Sequence, residues 1–109
     1  MSNYTNPETE IKSLLADLWQ RHLPSMHERL NLLDHAASSA ASDQLEEPER
    51  AEAQSIAHKL AGNLGMFGYT EAGTLASEME HILKAPTPET LHRLPGLTRQ
   101  LRTSLEPHL

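Results

Sequence analysis

Pro48-Glu49-Arg50-Ala51-Glu52-Ala53-Gln54-Ser55-Ile56-Ala57-His58-Lys59-Leu60-Ala61-Gly62-Asn63-Leu64-Gly65-Met66-Phe67-Gly68 is the stretch that decides how this chain folds. It opens with proline and acid in a first helical turn, where the missing N–H is no loss and negative charge suits the positive end of the dipole. It closes on Gly68, a natural left-handed terminator. At about 100° per residue, Ala53, Ile56, Leu60, Leu64 and Phe67 gather on one side as a core-facing stripe. His58 lies opposite them and shares its side with Ala51, Ser55, Ala61, Gly62 and Gly65. The imidazole is therefore expected to project into solvent from a surface of almost bare backbone.

Such a surface is a poor choice for stability. Gly62 and Gly65 each cost about 0.5–1 kcal/mol relative to alanine inside a helix. Two of them beside an exposed histidine suggest that something approaches the ring closely. The competing explanation is tight helix–helix packing, but their phase points them away from the core stripe.

Upstream, Asn6-Pro7-Glu8 reads as a helix start: a capping side chain, proline at the first helical position, then acid. Apolar residues follow at three-and-four spacing: Ile11, Leu14, Leu15, Leu18 and Trp19. The stripe Ile11, Leu15, Leu18 is expected to run on into Met26, Leu30, Leu33 and Ala37 without changing face. Pro24 falls on roughly the opposite side, where the carbonyl it orphans can find water. Residues 7 to 40 thus read as one helical arm, kinked near Pro24. The small, polar run Ser38 to Glu47 reads as a loop.

Downstream, Thr70 is expected to cap a third helix with Ala72, Leu75, Ala76, Met79, Ile82 and Leu83 on one face. Thr87-Pro88-Glu89 repeats the start signal for a last helix carrying Leu91, Leu94, Leu97, Leu101 and Leu105. Pro95-Gly96 interrupts it early, so its first turns should be irregular. Four helical segments with short connections imply an all-α fold, an antiparallel up-down four-helix bundle. One domain is expected over residues 1–109, with its core from about 8 to 106.

Composition agrees. The chain has 109 residues, 38% of them hydrophobic and only 4% aromatic, so alanine and leucine carry the core. It has no cysteine, which excludes disulfides, thiolate metal sites and thiol catalysis. A formal charge of −6 argues against a nucleic-acid partner. No apolar run approaches the roughly 18–20 residues that span a bilayer, so no membrane insertion is expected. Met1-Ser2-Asn3-Tyr4 has neither the basic nor the hydrophobic region of a signal peptide. A cytoplasmic protein is expected. The helical wheel shows no second apolar seam, which makes a monomer the expectation.

The run Ala57-His58-Lys59-Leu60-Ala61-Gly62-Asn63-Leu64-Gly65-Met66-Phe67-Gly68-Tyr69 resembles the signature of the histidine-containing phosphotransfer (HPt) domain. That family places a His-x-Leu-x-Gly core mid-helix in a four-helix bundle, with an aromatic or apolar residue and a glycine at the helix end. The resemblance extends from residue 8 to about 106. It implies that His58 is a phosphoacceptor, exchanging a phosphoryl group with aspartates of response-regulator receiver domains in a relay fed by a hybrid histidine kinase. It favours Nε2 as the reacting nitrogen and makes Ser55, Ala61, Gly62 and Gly65 the partner-docking face. Many members carry lysine three residues after the histidine. Here that position is Ala61, which leaves Lys59 as the nearby cation for the phosphoryl environment.

The chemistry implied is undemanding of the protein. A free imidazole in water titrates at about pH 6.5, and the neutral form is already a nucleophile. Phosphoryl transfer needs positioning and charge neutralisation above all. Mg²⁺ and a lysine would come from the receiver, so no cofactor is expected on this chain. It shows no glycine-rich phosphate loop and no ATP-binding lobe, which implies a carrier and not a kinase.

Two other readings compete. One is a non-catalytic helical adaptor in which His58 is an ordinary surface residue. The other is a metal-binding bundle, because Glu78-x-x-His81 and Glu89-x-x-His92 match the Glu-x-x-His spacing of di-iron helices. By phase, however, His81 points away from its helix's apolar face, and His92 lies just before Pro95. His22, His27, His35 and His108 show no ligand spacing and read as solvated or rim residues. Trp19 and Phe67 read as core or core edge, and Glu46, Glu47, Glu49 and Glu52 as a solvated helix start.

Overall fold

A computed structural model describes residues 6–109; the Met1–Tyr4 start, read above as unlike a signal peptide, lies outside the described residues. Helix α1 spans Pro7–Ala41, α2 Glu47–Met66, α3 Thr70–Lys84, α4 Pro88–Leu91 and α5 Leu94–Leu105, with a closing 3₁₀ turn at Glu106–His108. The described residues contain no strand. The long helices α1, α2, α3 and α5 pack as an up-down bundle, with α2 and α3 in the most extensive contact.

The start signals act as expected. Asn6 accepts a hydrogen bond from the Glu8 amide at 3.0 Å, with Pro7 in the first turn. Thr87 and Thr90 form a reciprocal capping box ahead of α4. Pro95-Gly96 does break the last helix early: α4 is a single turn, and α5 begins anew at Leu94. Thr70, by contrast, is not a cap. It is the first residue of α3, and the cap position falls to Tyr69, whose side chain makes no capping bond.

Helix α1 runs unbroken through Pro24, which is exposed. It continues to Ala41 through the first part of the segment read as loop, because Ala36, Ala37 and Ala40 are small enough to pack closely and are buried. The true connection is 42–46, with Asp43 in the left-handed region at φ 56°. His92 reaches it, Nε2 lying 2.9 Å from the Asp43 carboxylate.

The core is built from Met26, Leu30 and Leu33 of α1, Leu60 and Leu64 of α2, Met79 and Leu83 of α3, and Leu94, Leu101 and Leu105 of α5. One end is closed by aromatics. The Trp19 indole donates to the His108 carbonyl at 2.7 Å, and its ring packs edge-on against Phe67 and Tyr69. Trp19 is buried and Phe67 half-buried, the core and core-edge placements expected.

The α1 stripe does not continue as expected. Ile11, Leu14 and Leu18 are 56%, 63% and 39% exposed. At about 100° per residue they lie roughly a quarter-turn from Trp19, Met26, Leu30 and Leu33, which face the bundle. The start of α1 extends beyond the aromatic end, with Leu15 and Ala16 beside Phe67 and Tyr69, and a second apolar seam is present after all.

Candidate functional site

His58 sits in the middle of α2 with its side chain 73% exposed. Its Nδ1 lies 2.8 Å from Oε1 of Glu80, on α3. Because the Glu80 side chain is only 21% exposed, the carboxylate forms the floor and the imidazole stands above it. Nδ1–H donating to that carboxylate leaves the lone pair on Nε2. Among the described residues no side chain hydrogen-bonds Nε2.

The surroundings of the ring are small. A Cβ added at Gly62 or at Gly65 would meet nothing within 4 Å, so both glycines open onto solvent. Ser55 and Lys59 are exposed beside them. They line a shallow groove between α1 and α2 together with Ser25, Arg29, Leu32 and Ile56. Ile56, expected in the core stripe, is half-buried at this groove's edge.

Ala61 departs from the expected placement. It is half-buried against the core and faces α3, where a Cβ on Gly73 would stand 3.4 Å from the Ala61 carbonyl oxygen and 3.4 Å from the Gly65 nitrogen. The packing explanation considered for the α2 glycines thus applies in part. At Gly73 a Cβ would already be in contact with the α2 backbone, leaving no room for a larger side chain, while Gly62 and Gly65 present their free side outward.

The end of α2 fixes this arrangement. Gly68 has φ +84°; its amide donates to the Gly65 carbonyl, and the Tyr69 amide donates to the Leu64 carbonyl at 2.9 Å. This is the paired closure of a Schellman motif, which glycine adopts without a Cβ penalty. It turns the chain sharply enough that α3 returns along α2.

With the geometry in place, comparison with known proteins gives a consistent answer. Residues 17–106 match the Hpt domain. The chain belongs to the Hpt domain family. Hpt domains carry phosphoryl groups in phosphorelays, are not kinases, and interact with receiver domains of two-component systems. Protein RcaC of Microchaete diplosiphon is 29% identical over 79 residues, which cover 72% of this chain and 12% of RcaC. No solved structure matches this Hpt chain.

Elsewhere, other histidines and carboxylates have local partners. Glu78 pairs with Arg93, and His81 Nδ1 is 3.0 Å from the carbonyl of Ser77, so the first Glu-x-x-His pair is divided between separate contacts. His35 Nδ1 lies 2.5 Å from Glu49. The Ser39 hydroxyl holds the Glu49 carboxyl below its ordinary range; burial opposes it, and His35 adds to the lowering. Arg50 lowers Glu47 in the same way. The acidic start of α2 is therefore partly paired and not simply solvated. No helix among the described residues is long and apolar enough to cross a membrane.

Sequence reading missed two residues of this site, Glu80 and Gly73. Both were reachable from the turn. A tight reversal at Gly68-Tyr69 places residues whose numbers add to about 138 opposite each other, which pairs 58 with 80 and 65 with 73.

Proposed function

We propose that His58 is the phosphoacceptor of this Hpt domain, taking a phosphoryl group from the aspartate of one receiver domain and passing it to another. The relay would be a multistep one fed by a hybrid histidine kinase. What carries the reading is the His58–Glu80 pair: a solvent-facing imidazole with Nδ1 held at 2.8 Å and Nε2 directed outward, on a face where Gly62 and Gly65 carry no side chain.

In the forward step Nε2 attacks the phosphorus of the receiver's aspartyl phosphate in line. The Nε2–P bond forms as the P–O bond to the aspartate breaks, and the aspartate leaves as a carboxylate. The imidazole becomes cationic while Nδ1 keeps its proton, and Glu80 stabilises that charge. Mg²⁺ and further cations belong to the receiver's site, with Lys59 the nearest cation of this chain. The reverse step follows the same path. Ser55, Gly62 and Gly65 leave room for the receiver's loops to bring their phosphate within reaction distance.

Incubation of the protein with phosphorylated receiver domains and Mg²⁺, followed by mass mapping, tests this. The expected product is an acid-labile, base-stable phosphate on His58, absent in His58→Gln. Label on another residue refutes the assignment, and partner function intact in His58→Gln favours the adaptor reading.

A further inference from the structure

We infer that the projecting first turns of α1 form an antiparallel two-helix seam with a second copy of this chain. Ile11, Leu14 and Leu18 expose a continuous apolar strip, and Leu15 is half-buried at its edge. They stand on helix that extends past the aromatic cap of the bundle, a molecule 64 Å long and 21 Å across. Apart from Leu15, which stands beside Phe67 and Tyr69, the strip is left uncovered by the described residues of the bundle.

Charge selects the occupant. Glu10, Asp17 and Arg21 lie along one flank of the strip, and all three are exposed. In a two-fold antiparallel pair, like flanks meet. Setting residue i of one copy opposite residue 31 minus i of the other places Leu14 between Leu15 and Leu18 of the second copy, and Ile11 beside Leu18. The same register sets Glu10 against Arg21, twice by symmetry, and brings Asp17 near its own copy beside the axis, so two opposite-charge contacts stand against one like-charge contact. The axis passes between positions 15 and 16. In a parallel pair unlike flanks meet, so Glu10 and Arg21, which share one flank, are not brought together. Among the described residues, neither Glu10 nor Arg21 is engaged in an ion pair. The surface is self-complementary, as an isologous interface must be.

The test uses the whole chain and starts with sedimentation equilibrium. A reversible dimer is expected, and Leu14→Glu should make it monomeric without loss of helical content. Glu10→Arg and Arg21→Glu should each weaken association several-fold. Mixing these two variants should restore it, because each then meets its opposite charge. The chain lacks cysteine, which makes cross-linking clean. Under oxidation, Ile11→Cys mixed with Leu18→Cys should form a disulfide-linked pair. Ile11→Cys alone should not, since its two copies lie about 13 Å apart along the axis. A monomer at every concentration overturns the inference, as does self-linking of Ile11→Cys. Weakened receiver binding in Leu14→Glu with an unchanged oligomeric state also overturns it, by giving the strip to a receiver.

Discussion

Gly73 of α3 lies so close to Gly65 of α2 that a Cβ on it would stand 3.4 Å from the Gly65 nitrogen. Seven residues before Gly65 is His58, and seven residues after Gly73 is Glu80. In antiparallel helices those displacements run in the same direction, so the close crossing sets the spacing at which Glu80 reaches the imidazole.

Substitution at Gly73 should therefore act on two levels. Gly73→Ala puts a methyl at ordinary contact distance, and its better helix propensity offsets any small shift. It should lie within about 1 kcal/mol of the parent in chemical denaturation. Gly73→Leu has no space and should cost about 1–3 kcal/mol or more. In the part that still folds, α3 is displaced and the His58–Glu80 distance lengthens. Slowed transfer with wild-type affinity for the receiver is the expected signature in Gly73→Leu.

Gly62 and Gly65 should behave oppositely. Neither has a neighbour within 4 Å of an added Cβ, so alanine at either should stabilise the helix by roughly 0.5–1 kcal/mol. Leucine should leave helical content nearly unchanged, yet obstruct a partner over His58. Thermal unfolding alongside phosphotransfer separates the two effects. Loss of fold in Gly62→Leu contradicts the open-face geometry.

Those contrasting glycines show what could be read from the chain and what could not. Periodicity located four helices because leucine and alanine repeat at helical spacing with proline and glycine at the ends. It put His58 on the exposed face because Leu60 and Leu64, two and six residues on, fix the buried one. It failed at Ile11, Leu14 and Leu18, where an apolar stripe is assumed to face its own bundle. Whether a bundle extends that far depends on where α2 and α3 stop, and that is set by the Gly68 turn. Ala61 was misplaced for a related reason: an outward phase on a wheel says nothing of which neighbouring helix comes close. Glu80 looked like any other carboxylate on an exposed edge until α3 was laid against α2.

The far end of the bundle supplies a pH prediction. Glu49 has its folded-state pKa lowered, by the Ser39 hydroxyl first and His35 second. Its contribution to stability is thus complete above the ordinary carboxylate range, about pH 4.3. It is lost as pH falls through the lower folded value. Glu49→Gln should remove part of the acid limb of a stability-against-pH curve and leave its neutral-pH shape alone. An unchanged acid limb would show that the contacts to Ser39 and His35 are not kept in solution.

The last prediction concerns what Glu80 contributes to His58. A carboxylate accepting from Nδ1–H orients the ring, selects the tautomer with the lone pair on Nε2, and offsets the charge formed on phosphorylation. Two variants separate these roles. Glu80→Gln can still accept from Nδ1–H, so ¹⁵N spectra should retain the Nδ1–H tautomer. Without the negative charge, however, the phosphorylated imidazole is less favoured, and the equilibrium should move toward the receiver. Glu80→Ala removes both: the tautomer ratio should relax toward that of free imidazole, and transfer should slow by about tenfold to a hundredfold. Glu80 is half-buried and, among the described residues, its carboxylate is hydrogen-bonded to His58 alone, so neither change should unfold the protein. Wild-type transfer and an unchanged ring spectrum in Glu80→Ala would remove Glu80 from the site and leave His58 to act from exposure alone.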